Sequence, residues 1–284
     1  LAQLLRGAPV ARALMDALAP RVDALCARGV TPTLAVIRVG ERQDDLSYER
    51  NVRGRCEKVG IAFRSVALAA SCTQGELMDA VAGVNADAGV HGCLMFRPLP
   101  AQLDEKAACA ALVPEKDVDG VSPLSLAGVF SGDDLGFAPC TAEACVALLD
   151  HYGVALSGKR ACVVGRSLVV GRPLSLLLQA RDATVTMCHS RTEALAQECA
   201  RADLLLVATG RPKTAGAACT RPGQVIVDVG FNWDDASQAF VGDVDFFACE
   251  GAARAITPVP GGVGSVTTAV LATHVVRAAE RMAF

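Results

Sequence analysis

Short runs of branched apolar residues alternate with longer amphipathic stretches along almost the whole chain, and few architectures accept that order. Segments 34–40, 65–68, 92–96, 160–164, 184–187, 204–208 and 225–229 read as strands. Segments 49–59, 74–87, 141–152, 171–180, 192–201 and 266–282 read as helices. Repeated β-α-β predicts parallel sheets covered by helices. One interval, 113–140, is dense in Gly, Pro, Ser and Asp, and loops of that length are usually functional or inter-domain. The 284 residues suffice for about two domains. The expected architecture is therefore α/β, with two parallel-sheet domains and a cleft between them.

Several classes of function are excluded by composition. Hydrophobic residues at 52% and charged residues at 20% exclude a disordered chain. Lys plus Arg number 27 against 30 Asp plus Glu, so no basic face for nucleic acid is expected. The longest uncharged stretch, 255–276, clusters Pro258, Pro260, Gly261, Gly262 and Gly264 at its start. No spanning helix would do so, and no membrane partner is expected. Residues 1–25 are interrupted by Arg6, Arg12, Asp16, Arg21 and Asp23, which predicts an amphipathic surface helix rather than a signal peptide. Twelve scattered cysteines without a CxxC pair, beside four histidines, argue against a metal site. They read as buried free thiols in a reducing cytoplasm.

The second half carries the clearest binding signal. Strand 160–164 runs into Gly165-Arg166-Ser167, and Gly171-Arg172-Pro173 opens the next helix. Glycines there let the backbone approach a pyrophosphate at a helix N-terminus, as in a Rossmann-like unit. The six-residue spacing of the glycines also fits a plain tight turn between strand and helix. The following strand ends in Cys188-His189-Ser190-Arg191, where an NAD site would place a carboxylate. A hydroxyl and a guanidinium in that place, with Arg166 nearby, favour the 2′-phosphate of NADP. The bland alternative is that Arg166 and Arg191 are solvated loop charges.

Five segments in order carry a family resemblance: Lys116-Asp117-Val118-Asp119-Gly120, Pro139-Cys140-Thr141, the string from Gly165 to Pro173, Val241-Gly242-Asp243-Val244, and the string from Ile256 to Gly264. Together they resemble the bifunctional methylenetetrahydrofolate dehydrogenase/methenyltetrahydrofolate cyclohydrolase family over essentially the whole chain. The resemblance implies a cytoplasmic homodimer acting in one-carbon metabolism that serves purine biosynthesis. It implies a folate-binding catalytic domain at 1–140 plus 266–284 and an NADP-binding Rossmann-like domain at 141–265, with folate in the cleft facing NADP. Asp119 would hold the pterin and Tyr48 would stack near the folate as the catalytic pair. Pro260, Gly261, Gly262, Val263, Gly264 and Thr267 would line the folate site. Gly165, Arg166, Ser167, Ser190 and Phe231 would contact NADP, with Arg191 added from the charge argument above.

Departures from the family pattern bear on the second reaction. The resemblance implies lysine four residues after the tyrosine, and Val52 stands there. It implies Gln-Leu-Pro-Leu-Pro where this chain has Phe96-Arg97-Pro98-Leu99-Pro100. Asp45 replaces an expected serine and Ser265 an expected proline. Arg50, Arg53 and Arg55 lie near but cannot release a proton at neutral pH. Hydride transfer chiefly needs alignment, whereas hydrolysis needs acid–base groups. The expected activity is therefore NADP-dependent oxidation of 5,10-methylenetetrahydrofolate to 5,10-methenyltetrahydrofolate, with cyclohydrolase activity weak or absent. Three alternatives stay open: a full bifunctional enzyme using another group such as Asp45, a non-catalytic ligand-binding relative, and a dehydrogenase for another substrate.

Overall fold

The computed structural model describes residues 2–235 and 237–283. The elements run β1 (Gln3–Leu4), α1 (Gly7–Ala27), β2 (Thr33–Val39), α2 (Gln43–Lys58), β3 (Ala62–Leu68), α3 (Gln74–Ala86), β4 (Gly92–Met95), α4 (Glu105–Ala111) and α5 (Pro123–Ser131). They continue with α6 (Cys140–His151), β5 (Arg160–Val164), α7 (Gly171–Gln179), β6 (Thr184–Cys188), α8 (Leu195–Arg201), β7 (Leu204–Val207) and β8 (Val225–Asp228). The last are β9 (Asn232–Asp234), β10 (Ala239–Val241), α9 (Phe246–Cys249), β11 (Ala255–Ile256) and α10 (Gly264–Met282). Contacts divide the chain into a first unit, 13–140 with 268–284, and a second unit, 1–12 with 141–267.

The first unit holds a parallel sheet in the order β3-β2-β4. The central strand β2 is a near-continuous apolar run, as a strand covered on both faces must be. Ile37, Leu77, Val81, Val90 and Leu112 form one core cluster of this unit. Helix α3 opens on a reciprocal cap in which the Thr73 hydroxyl accepts from the Glu76 N–H and the Glu76 carboxylate accepts from the Thr73 N–H. Its other end is closed by Lys116, whose ammonium donates to the carbonyls of Val84, Asn85 and Asp87 at 2.9, 2.9 and 2.6 Å. The 113–140 interval contains α5, which Ser122 caps with Pro123 in the first turn.

The second unit holds a six-stranded parallel sheet in the order β1-β11-β8-β7-β5-β6, and β9 and β10 form a separate antiparallel hairpin. Residues 1–12 belong to this unit, not to the first as the expected 1–140 boundary has it. Gln3 and Leu4 pair in register with Ala255 and Ile256, and Gly7 donates to the Gly261 carbonyl at 2.8 Å. Two residues paired with a strand 252 positions away leave no local periodic signal. The expected N-terminal helix accordingly starts at Gly7, and the Leu1 end of that expectation lies outside the described residues.

All twelve cysteines are free and all but Cys26 are buried. Burial pushes the thiols of Cys56 and Cys145 up to about 12. Among the described residues, no helix is long and apolar enough to cross a membrane.

Candidate functional site

In open parallel α/β sheets, ligands sit beyond the carboxyl ends of the strands where the strand order reverses. In the second unit that point lies between β5 and β7. There Gly165 adopts a φ of +134°, and a Cβ at this position would stand 2.2 Å from the Ala208 carbonyl oxygen. A Cβ on Gly171 would stand 2.2 Å from the Gly165 carbonyl oxygen. Both glycines are therefore required by close backbone approach rather than by chain flexibility. Ser167 fixes the turn, its hydroxyl accepting from the Val170 and Gly171 N–H groups at 3.1 and 3.4 Å.

A cavity of about 400 Å³ opens at this point. Its lining brings together Gly165, Arg166, Ser167 and Ser190 from the expected set, and adds His189, Thr209 and Arg211. Among the described residues, the lining does not include Arg191 or Phe231. Phe231 stacks on Phe240, with ring centroids 4.2 Å apart and planes 14° apart. His189 shapes the β6 loop: its N–H donates to Thr192 Oγ1 at 2.8 Å and its Nδ1 accepts from the Arg191 N–H at 3.2 Å.

Two buried carboxylates support the β7 side of the cavity. Asp243 accepts from the N–H groups of Thr209 and Gly210 at 2.5 and 2.9 Å, and from Asn232 Nδ2 at 2.8 Å. Asp228 accepts from the N–H groups of Gly230, Asp243 and Val244, each at 2.9 Å. Burial nevertheless pushes the Asp228 carboxyl up to about 6, with the neighbouring Asp243 charge acting the same way against the three hydrogen bonds.

The arrangement fits a phosphorylated dinucleotide. The two glycines open a cradle for a pyrophosphate, α7 presents its N-terminus, and Arg166, Arg211 and Ser190 offer partners to a further phosphate. Arg211 was not foreseen, since an arginine after Thr209-Gly210 carries no distinguishing sequence mark.

In the first unit the corresponding reversal lies between β2 and β4. Tyr48 on α2, 39% exposed, sets its ring 5.4 Å from the Phe96 ring at the end of β4. Burial pushes the Tyr48 phenol upward, and the Asp119 charge adds to it. Asp119 lies 3.5 Å from the Arg97 guanidinium. Burial pushes the Asp119 carboxyl up to about 6 even though Arg97 opposes it. Asp117 is wholly buried and accepts from the N–H groups of Val121 and Ser122, so its role is to shape the loop. Val52, one turn after Tyr48, is 1% exposed, and Phe96 is 6% exposed.

Polar groups near α2 are already engaged. Asp45 receives two hydrogen bonds from Arg42, at 2.8 and 2.9 Å. Arg50 donates to Ser47 Oγ, and Arg53 lies 3.5 Å from Glu49 and over the Phe63 ring. Glu49 is buried against Arg38 of β2 at 2.8 Å. Against the opposing effect of burial, hydrogen bonds from Ser65 and Arg38 hold the Glu49 carboxyl low. This pair was not foreseen, because Arg38 sits inside an apolar strand run.

The remaining expected residues, 260–264 and Thr267, belong to the second unit. Pro260, Gly261 and Gly264 are exposed, while Gly262 and Val263 are buried. Gly261 has a φ of +100°, and its carbonyl accepts from the Gly7 N–H. Thr267 is half-buried and donates to the Val263 carbonyl at 3.5 Å.

Two family profiles match the chain. The tetrahydrofolate dehydrogenase/cyclohydrolase catalytic domain matches residues 5–119, and the NAD(P)-binding domain of the same family matches 139–283. The bifunctional protein FolD of Clostridioides difficile is 46% identical over 278 residues, covering 98% of this chain and 96% of that protein. The crystal structure of the bifunctional FolD methylenetetrahydrofolate dehydrogenase/cyclohydrolase from Campylobacter jejuni superposes with a TM-score of 0.95 at 34% identity, covering 99% of each chain. The Trypanosoma brucei methylenetetrahydrofolate dehydrogenase-cyclohydrolase, solved with NADP and an inhibitor, superposes with a TM-score of 0.91 at 33% identity, covering 99% of this chain and 98% of that one.

Proposed function

The chain belongs to the tetrahydrofolate dehydrogenase/cyclohydrolase family, and on that premise we propose that it oxidises 5,10-methylenetetrahydrofolate to 5,10-methenyltetrahydrofolate with NADP while hydrolysing the product slowly or not at all. The observation that carries this reading is the apolar pair Val52 and Phe96, both buried where the family pattern has lysine and glutamine. Oxidation removes a hydride from the methylene carbon and leaves the methenyl cation, so the protein need move no proton. Hydrolysis adds water to that carbon and shifts protons, which is acid–base work. Bound NADP would supply the hydride acceptor.

The residues divide this work. Gly165 and Gly171 leave room for the pyrophosphate, and Arg166, Arg211 and Ser190 take the 2′-phosphate. The Asp119 carboxylate accepts pterin N–H groups, and Tyr48 with Phe96 supplies an apolar wall. The 260–264 loop and Thr267 are proposed as further folate contacts. The test follows reduced cofactor and methenyl-folate separately in a mixture of purified protein, methylenetetrahydrofolate and NADP. Both should rise in step; absence of NADP-dependent turnover defeats the reading.

Cofactor choice gives a separate check. A hydrogen bond to a charged group contributes about 1.5–3 kcal/mol, so Arg166→Ala or Arg211→Ala should raise the KM for NADP about 10- to 100-fold. The KM for NAD should stay unchanged in both variants. An equal loss with NAD would mean that these arginines do not read the 2′-phosphate.

The proposal includes a cytoplasmic homodimer. Twelve free thiols support a reducing compartment. Exposed Phe231, Trp233 and Phe240, gathered on the β9–β10 hairpin, support burial against a second copy. Sedimentation equilibrium should return twice the chain mass of 29.3 kDa; a single-chain mass at micromolar concentration removes the dimer.

A further inference from the structure

Asp119 faces an unusual set of neighbours. Asp117, two residues earlier, adds a second negative charge, and Cys93 and Cys140 contribute buried thiols. Cys140 and His274 both bond the Val118 carbonyl beside it, at 3.1 and 2.8 Å. The Tyr48 phenol approaches from α2. Lys116 is close in sequence, but its ammonium is committed to the three carbonyls that end α3. The guanidinium that reaches Asp119 is Arg97, at 3.5 Å, and both side chains are 23% exposed. Arg97 is held from its other side by Glu105 at 3.9 Å, whose carboxylate also accepts from the Leu99 N–H at 3.0 Å.

Resting on the folate reading above, we propose that Arg97 is a positioning residue that keeps Asp119 ionised and turned to accept N–H groups of the pterin. A protonated carboxyl would present a donor to a substrate edge that also donates, and one hydrogen bond would become a repulsion. In a half-buried site with two carboxylates, the neighbouring cation is the first of the groups that hold the charge, ahead of a hydrogen bond with Cys140. The same side chain leaves little room for a second role, since a guanidinium does not titrate at neutral pH. Arg97 therefore acts on binding of substrate and not on proton traffic, which agrees with an oxidation that needs none.

The test measures kcat/KM of the intact enzyme for methylenetetrahydrofolate from about pH 5 to about pH 9, in the wild type, Arg97→Leu and Arg97→Lys. Ionised Asp119 is the competent form, so activity falls as pH drops through its midpoint. In Arg97→Leu that midpoint should move up from about 6 by about one pH unit or more, giving about a twofold loss at about pH 7 that grows to about tenfold in acid and that alkaline pH restores. The loss should sit in KM more than in kcat, and Arg97→Lys should return most of it. An acid limb that does not move in Arg97→Leu overturns the proposal, as does a loss of equal size at every pH. A wild type with no turnover at any pH defeats the folate reading instead and takes this assignment with it. Thermal unfolding of the three proteins, together with the lysine variant, separates a titration effect from a failure to fold.

Discussion

Methenyltetrahydrofolate should accumulate in front of the wild-type enzyme, and Val52→Lys combined with Phe96→Gln should drain it. A positioned acid–base group supplies about 10²–10⁴ in rate, so hydrolysis in the double variant should exceed the wild type by a factor in that range. Val52→Lys alone should achieve much less. Val52 is 1% exposed, and an ammonium there without a polar partner would be driven to its neutral form. Glutamine at 96 supplies an amide oxygen at the end of β4, on the side where the Tyr48 ring now meets Phe96. Dehydrogenase activity should survive the change within a few fold, because alignment, not proton transfer, limits the oxidation. A wild type that hydrolyses methenyl-folate well above the buffer rate would overturn the reading and turn attention to another acid–base group. Asp45 is poorly placed for that work, since Arg42 occupies both of its oxygens.

The second large effect is on stability. Asp228→Ala leaves the N–H groups of Gly230, Asp243 and Val244 without their acceptor. Each buried unsatisfied group costs about 1–3 kcal/mol, and with partial relaxation the total should be about 3–5 kcal/mol. Denaturant unfolding should show it as a lower midpoint, beside Asp203→Ala as a control. Asp203 pairs with Arg221 on a part-exposed surface, where such pairs contribute about 0–1 kcal/mol. The Asp228 deficit should also depend on pH. Its carboxyl is raised to about 6 in the folded protein from an ordinary 3.8. Stability from that group is therefore fully present below about pH 4 and lost as pH rises through about 6. The gap between wild type and Asp228→Ala should be wider in acid than at neutrality; a gap that does not change with pH would show that the carboxyl titrates at its ordinary value, and one that narrows on acidification would show that its hydrogen bonds hold it below that value.

The sequence made the repeated β-α-β order and the glycine turn legible because both are local: apolar period, strand-end glycines and helix starts lie within a few residues of each other. Features that depend on distant partners were not legible. The edge strand at Gln3 and Leu4 exists because Ala255 and Ile256 offer it a free edge. The boundary at residue 12 follows from that pairing and not from composition. Helix α5 is a different case, since Ser122 followed by Pro123 is a readable start signal that the surrounding Gly and Asp residues obscured. At the site, Arg166 and Ser190 could be chosen from charge and position, while Thr209 and Arg211 enter the cavity only through the hold of Asp243 on their loop. Arg38 and Glu49 were passed over because neither charge alone predicts a buried pair between β2 and α2.

The eleven buried thiols set the terms on which this protein meets oxidants. Burial puts all eleven out of reach and pushes the thiols of Cys56, Cys93, Cys109, Cys145 and Cys249 up, away from the thiolate form that reacts. Chemical damage to the interior must then wait for the fold to open, and its rate becomes a clock for opening rather than a property of sulfur. Each opening exposes many nucleophiles together, so one escape from the native state can be made permanent by disulfides that the folded chain never forms. A protein built this way ages by its rarest fluctuations.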